Sequence, residues 1–134
     1  MCITLLLRSI LHYSFVRIKY KNHYYKLYLS DTPAKHMLGL MHLERLEQGV
    51  YGMLFDFKRE SRPGIWMHNM RFSIDILWLD AGGSVVHIVR DAAPCTSIFR
   101  CKTYTSPRPA RYVIELKAGA SKSMGIEVGS KIEV

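Results

Sequence analysis

Alternating apolar and polar residues, rich in β-branched and aromatic side chains, occupy most of this 134-residue chain. The pattern first occurs in residues 15–20 and 24–29. The intervening residues 21–23 include Asn22, a residue type that tolerates the backbone angles of tight hairpin turns. The two segments are therefore predicted to pair as a β-hairpin.

A change to a period near 3.6 residues follows the hairpin and predicts a helix from Thr32 to about Gln48. Asp31 or Thr32 would cap its start, and Pro33 is favourable in a first helical turn. Its apolar side would consist of Met37, Leu40, Met41, Leu43 and Leu46, with Gly49 as the stop.

Short strand-like segments fill the rest of the chain, separated by turns rich in glycine and proline. A short helical turn near residues 120–124 precedes the last of them. This composition predicts a mainly β fold, a β-sandwich or a flattened barrel. Because no linker or internal repeat interrupts it, a single domain is expected over residues 17–134. The predicted strands are residues 52–57, 64–69, 73–80, 84–91, 110–117 and 130–134.

Residues 1–16 are predicted to be a lead-in segment. Arg8 and His12 interrupt its apolar character, whereas a membrane-spanning helix needs about 20 mostly apolar residues. A secretory signal with an unbroken apolar run and a clear cleavage site is not evident either. A disordered arm, an edge strand, a degenerate export signal and a surface anchor all stay open for this segment.

Positive charge is concentrated near the N terminus. The net charge is +8, and the first thirty residues contribute five basic and no acidic residues to it. The basic stretch 17–29 places Arg17, Lys19 and Lys21 on one face of a strand among tyrosines, which suits contacts to phosphates and bases. The solvated face of a hairpin explains the same pattern, so nucleic acid is the less favoured interpretation.

A series of short motifs occurs in a specific order between Thr32 and the C terminus. Their order and spacing resemble the family called domain of unknown function 192. The motifs are Thr32-Pro33, Gly39-Leu40-Met41, residues 52–57, residues 66–69, Asp75-Ile76, Pro94-Cys95, Cys101, Tyr104, Pro109-Ala110, residues 112–115, Ala118-Gly119 and Gly125-Ile126.

This resemblance implies a compact, mainly β fold of sandwich or jelly-roll type, with one helix near its start. It implies no established reaction, and it favours export or association with the cell envelope, although the cytoplasm stays possible. The chain also departs from the family pattern. Lys35-His36 stands where members usually carry Glu-Arg, Met70 where they carry Thr, and Ser73 where they carry Pro.

Asp75 is the most informative single residue, because its carboxylate points among apolar neighbours whichever face of its strand is buried. A buried carboxylate must be hydrogen-bonded, paired with a cation or protonated. We expect Asp75 to accept hydrogen bonds from backbone N–H groups of a loop. A general acid or base is the alternative role.

A candidate binding surface follows from the segment around Trp66. His68 and Asn69 lie past the end of a predicted strand, where sites are commonly built, although a surface His and a turn-forming Asn explain them equally. Trp66 could stack on a sugar or a base, although a Trp in a sandwich strand is more often core. The candidate binding residues are Trp66, Met67, His68, Asn69, Asp75 and Tyr104.

Cys95 and Cys101 are predicted to lie close enough for a disulfide, because a five-residue interval allows the chain to turn back. Two reduced thiols are the other possibility, and Cys2 would remain free. Together with His68 and His87 these cysteines match no metal-ligand or Cys-His nucleophile spacing, so no metal and no cofactor are predicted.

Two classes of function remain open. The leading hypothesis is an accessory or binding module for a small ligand, glycan or protein, with its cleft near Trp66, Asn69 and the loop between the cysteines. The alternative is a hydrolase-like enzyme that uses Asp75 with His68 or Glu115 as acid and base. An open pocket joining Asp75 to a second titratable group would favour the enzyme.

Overall fold

The structure, a computed structural model, describes residues 13–134. The predicted lead-in therefore lies largely outside the described residues, as does Cys2. The strands are β1 Phe15–Tyr20, β2 His23–Ser30, β3 Val50–Ser61, β4 Ile65–Trp66, β5 Ile74–Leu79, β6 Val85–Ala92, β7 Thr103–Tyr104 and β8 Ala110–Lys117; the helices are α1 Pro33–Leu38 and α2 Ala120–Met124, with a 3-10 turn at Ile98–Arg100.

Six strands form one sheet in the order β1-β2-β3-β8-β5-β6, and β4 pairs with β7 separately. Neighbouring strands are antiparallel except β2 and β3, which are parallel and joined through α1. The predicted hairpin is confirmed: Lys21 and Asn22 turn between β1 and β2 with φ of 47° and 63°. The mainly β fold is confirmed as well, as a flattened sheet that does not close into a barrel.

Both faces of the sheet are buried, because different segments cover them. The face that carries Leu77 and Ile114 packs against Ile126 and Ile132 of the C-terminal segment, and we call it the tail face. The face that carries Ile76 packs against Leu40, just past α1. This second side of the sheet is the helix face below. As a result, every residue of the interior strand β5 is buried.

The predicted helix is correct at its start and wrong in its length. The Thr32 hydroxyl caps α1 by accepting a hydrogen bond from the Lys35 amide, as expected of an N-cap. The helix ends at Leu38 rather than near Gln48, because Gly39 turns the backbone away at φ 47° and donates its amide to the Lys35 carbonyl. The apolar residues beyond Gly39 are packed by irregular turns, which leave room for a pocket.

Two predicted strands are also shorter than expected. The segment 64–69 pairs regularly only at Ile65–Trp66. The segment 130–134 makes isolated bridges, from Glu133 to Lys19 and from Lys131 to Ser84, so it links the two edge regions of the sheet. The helical turn predicted near residues 120–124 is confirmed as α2. No described helix has the length and apolar character needed to cross a membrane.

Candidate functional site

A pocket of about 300 Å³ opens on the helix face between α1, the turn after it, β3 and β4. Its rim includes Met37 and Trp66, which are 78% and 38% exposed, whereas Phe55 and Ile65 are buried. The lining residues are His36, Met37, Leu38, Gly39, Leu40, Met41, Phe55, Phe57, Gly64, Ile65, Trp66, Met70 and Glu115.

The pocket exists because three segments meet at one end of the sheet. Alternation along β3 points Phe55 and Phe57 to the same face, where their rings lie parallel at 6.2 Å. The His36 ring from α1 packs 4.4 Å from the Phe57 ring. A Cβ at Gly39 would lie 3.3 Å from the Phe55 ring, so the turn after α1 passes close above the aromatic pair.

Glu115 is the buried polar residue of this pocket. It lies in β8, paired with Met53 of β3 on one side and with Ile76 of β5 on the other. Its side chain is 5% exposed, and among the described residues its Oε2 atom has no hydrogen-bond partner. Burial raises the pKa of Glu115 to about 8, because removal from water disfavours the ionised form. The carboxyl group is therefore mostly protonated at neutral pH.

The backbone is closely packed at the same point. A Cβ built on Gly52 of β3 would overlap the carbonyl oxygen of Glu115, so only glycine fits at this position. The pairing of β2 with β3 is shifted next to Gly52 by a bulge at Tyr51. Because the strands cannot separate to admit a side chain at Gly52, the Glu115 backbone is held firmly in place.

His36 is the second titratable group that lines the pocket. Its Nδ1 lies 2.8 Å from the Ser30 hydroxyl, which fixes the ring against Phe57. Burial lowers the pKa of His36, and a hydrogen bond with the Asp56 backbone and the nearby carboxylates of Asp31 and Asp56 counteract this effect only in part. A neutral imidazole is therefore favoured at neutral pH, so the pocket holds no fixed positive charge from His36.

Asp75 lies on the opposite side of the sheet, the tail face, and is fully buried. The Asp91 amide donates to its Oδ1 at 3.0 Å. The amides of Gly119 and Ser121 donate to its Oδ2 at 3.1 and 3.0 Å, and the Ser121 hydroxyl donates to the same atom at 2.6 Å. The prediction that Asp75 accepts backbone hydrogen bonds is confirmed. A bulge in β6 at Asp91, where φ is 56°, presents one of these donors.

The structure does not bring together the acid–base pairs of the enzyme hypothesis. Asp75 pairs across the sheet with Leu116, the residue after Glu115, so the two carboxyl groups point to opposite faces. The partners of Asp75 do not include His68, whose ring lies 4.9 Å from the Trp66 ring. Among the candidates, Trp66 and Glu115 share the helix-face pocket.

The other candidate binding residues lie beside the pocket rather than in it. Met67 is buried, and its carbonyl accepts the Cys95 amide. Asn69 adopts φ 61° and accepts the His42 amide, as a turn-forming residue does. Tyr104 is half-buried opposite Ile65. The expectation that Trp66 is core is wrong, since it stands on the rim.

Cys95 and Cys101 lie at disulfide distance, with their Cα atoms 5.6 Å apart, as predicted. Their loop projects from the helix face near His68, which forms a parallel bridge with Cys95. At its tip Phe99 is 95% exposed.

Sequence reasoning missed the residues that build the pocket wall, namely His36, Phe55 and Phe57. The alternation of β3 does assign both phenylalanines to one face, but it cannot show which segment covers that face. The signal at Glu115 is the same as at Asp75, a carboxylate between apolar residues of a strand. What separates them is the supply of donors, which depends on tertiary structure.

The chain belongs to the family called domain of unknown function 192, a group of uncharacterised proteins, and the family profile matches residues 16–134. This confirms the resemblance found from the motifs. No reaction is assigned to the family by its description.

The names of similar proteins assign no reaction to them either. A UPF0127 protein of Pyrococcus furiosus is 28% identical over 106 residues, which cover 78% of this chain and 82% of that protein. A UPF0127 protein of Pyrococcus horikoshii is 30% identical over 107 residues, covering 78% and 84%.

Solved structures share the fold. A Sinorhizobium meliloti protein, described as a candidate transcription regulator, superposes with a TM-score of 0.77 and is 28% identical, covering 90% of this chain and 94% of its own. A protein of unknown function from Novosphingobium aromaticivorans gives a TM-score of 0.75 at 22% identity, covering 91% and 85%. The second likeness concerns the fold alone.

Proposed function

We propose that this protein is a ligand-binding module that holds a small molecule in the helix-face pocket. The observation that carries the proposal is Glu115, a buried carboxyl group whose Oε2 has no partner among the described residues. Leaving such a group unsatisfied costs about 1–3 kcal/mol. A ligand that satisfies Oε2 would recover part of this cost on binding.

The shape and lining of the pocket support the proposal. Its volume of about 300 Å³ lies at the lower end of the range for small-molecule sites, so a compact ligand fits best. The walls are apolar or aromatic and converge on a few polar groups, as in most ligand pockets. Trp66 stands at the opening, where its ring could cover a bound molecule.

Binding is preferred to catalysis because the described residues that line the pocket include no nucleophile with an adjacent base. Catalysis by acid and base requires two groups positioned on the reacting atoms. In this pocket the second titratable group, His36, is turned to Ser30 by a hydrogen bond and packed on Phe57. An enzyme would therefore need a further group supplied by the substrate or by a partner.

The description of the Sinorhizobium protein raises transcriptional regulation as a second candidate. The β1–β2 hairpin offers Arg17 and Lys19 at 5.2 and 5.7 Å from the ring of Tyr24, which is 60% exposed. Arg17 and Lys19 contact this ring and are at least partly exposed to water, whereas Oε2 of Glu115 is buried without a partner among the described residues. The pocket is therefore the better-supported site, and binding of duplex DNA that is lost on Arg17→Ala would reverse this preference.

Methionine methyl groups offer a direct test. Protein labelled with carbon-13 at the methionine methyls would be titrated with a library of compact fragments at millimolar concentration. We expect bound fragments to shift Met37, Met41 and Met70, which line the pocket. Met124, in α2 on the tail face, is the internal control. The proposal would be overturned if the fragments bound only outside the pocket, or if no fragment shifted the pocket methyl signals of the folded protein.

A further inference from the structure

We infer that the pocket selects small organic cations that carry N–H donors, an alkylammonium or a guanidinium group. This inference rests on the proposed function and names the chemical class of its ligand. It follows from three features of the lining: a buried carboxyl oxygen that has no partner among the described residues, aromatic rings in the same pocket, and a histidine that carries no competing charge.

The buried acceptor defines the polar half of the ligand. Glu115 Oε2 is enclosed, and the residues paired beside it in the sheet, Met53 and Ile76, are apolar. Among the described residues of the pocket, His36 is the only other group that titrates, and no lysine or arginine lines it. When Glu115 is ionised, a donor for Oε2 must therefore come from the ligand, and an ionised N–H donor makes the strongest hydrogen bond to a carboxylate.

The aromatic walls favour positive charge for an independent reason. Phe55 and Phe57 lie parallel in the lining that also includes Glu115, and Trp66 stands at the opening. A cation over an aromatic face is attracted by the ring quadrupole, and this attraction strengthens when water is excluded. Once Glu115 is ionised, an anion would meet both the ring faces and the carboxylate unfavourably. Both groups of residues thus select the same sign of charge.

Binding of a cation should release the proton of Glu115, and this release can be measured. Because burial raises the pKa of Glu115 to about 8, the empty pocket holds a neutral acid at pH 6. A bound cation favours the carboxylate, so the carboxyl proton leaves to the solvent when the cation enters. The affinity for a cation should therefore rise about tenfold with each unit of increasing pH up to about pH 8, and it should be constant at higher pH. A neutral ligand that prefers the protonated acid should show the opposite trend.

Propylguanidinium and propylurea form a matched pair of similar shape, in which the urea is neutral and carries a carbonyl oxygen in place of one amino group of the cation. Isothermal titration calorimetry at pH 6, 7 and 8.5, in two buffers of different ionisation enthalpy, would give affinity and proton release. We expect propylguanidinium to bind about tenfold more tightly at pH 7 than at pH 6, with close to one proton released at pH 6. Propylurea should bind more weakly at pH 8.5.

The variant Glu115→Gln keeps the side-chain shape and removes the charge, so it should lose both the preference for guanidinium and its pH dependence. Glu133→Gln alters an exposed carboxylate elsewhere and is the matched control. Tighter binding of propylurea, or guanidinium binding that Glu115→Gln leaves unchanged, would overturn the inference while the pocket remains a ligand site. If neither compound nor any fragment shifts the pocket methionines, the proposed function fails as well.

Discussion

Two buried carboxyl groups on neighbouring strands of one sheet have opposite surroundings. Asp75 on β5 accepts four hydrogen bonds on the tail face. Glu115 on β8 lies on the helix face, its Oε2 has no partner within the part of the chain that the structure describes, and burial raises its pKa to about 8. Both residues stand between apolar neighbours in their strands. The pattern of the strand is therefore the same, and the difference arises in what covers each face.

Asp75 and Glu115 show two different roles for a buried carboxyl group, one in stability and one in binding. On the tail face, α2 begins next to Asp75 and its first amides complete the hydrogen bonds, so the carboxylate ties the C-terminal segment to the sheet. On the helix face, Gly39 ends α1 early and leaves a pocket where a longer helix would have packed. A group that stabilises the fold has its partners within the chain, whereas Glu115 has room for one from outside.

The largest expected effect is the pH dependence of stability caused by Glu115. The unfolded chain loses this proton near pH 4.5 and the folded protein near 8, so stability falls as pH rises between these values and is then constant. Between pH 5 and 8, wild type should lose about 4 kcal/mol relative to Glu115→Gln, at about 1.4 kcal/mol per pH unit. Urea unfolding of both proteins at each pH would measure this difference in the free energy of unfolding. Parallel curves for the two proteins, with Glu133→Gln as control, would contradict the comparison.

Asp75→Asn should cost about 3 kcal/mol of stability, because an amide offers one acceptor where four donors converge and brings its own N–H groups against them. Ser121→Ala removes the hydroxyl donor and leaves the backbone donors, so it should cost about 1 kcal/mol. Urea unfolding at pH 7 measures both. If Asp75→Asn changed stability by less than Ser121→Ala, the tail-face network would not be what holds α2 to the sheet.

Much of this contrast cannot be derived from the sequence. Alternation correctly indicates that Asp75 is buried and lies on the same face of β5 as Leu77 and Leu79, since a period of two fixes the face of each side chain. It does not indicate that β8 inserts between β3 and β5, which is what encloses Glu115. Strand order and the covering segments depend on contacts between distant residues. The predicted helix is too long for a different reason, because its apolar period continues past Gly39, the glycine at which α1 ends.

The disulfide tests whether the two faces are independent. Reducing a bond between Cys95 and Cys101 in oxidised protein should lower stability by about 2 kcal/mol, since the closed loop is short. The change should reach the methyl signal of Met67, whose carbonyl accepts the Cys95 amide, and leave Met124 on the tail face unchanged. A free-thiol count that includes both cysteines after oxidation would remove this prediction, and a shift of Met124 would show that the faces are coupled.

The smallest expected effect comes from supplying Glu115 with a partner inside the chain. His36 lines the same pocket, so His36→Arg would place a guanidinium group within the pocket. The desolvation of two charges offsets most of their attraction, and a net gain of about 1 kcal/mol at pH 8.5 is expected.

A double-mutant cycle decides whether that gain comes from Glu115. If His36→Arg stabilises wild type but not Glu115→Gln, the two side chains interact directly. The new arginine should also weaken binding of propylguanidinium, because it occupies the site of the ligand cation. Equal gains in both backgrounds would mean that the arginine acts through helix packing. In that case the contrast between the two carboxyl groups would hold for stability, and the guanidinium preference of the pocket would lose its support.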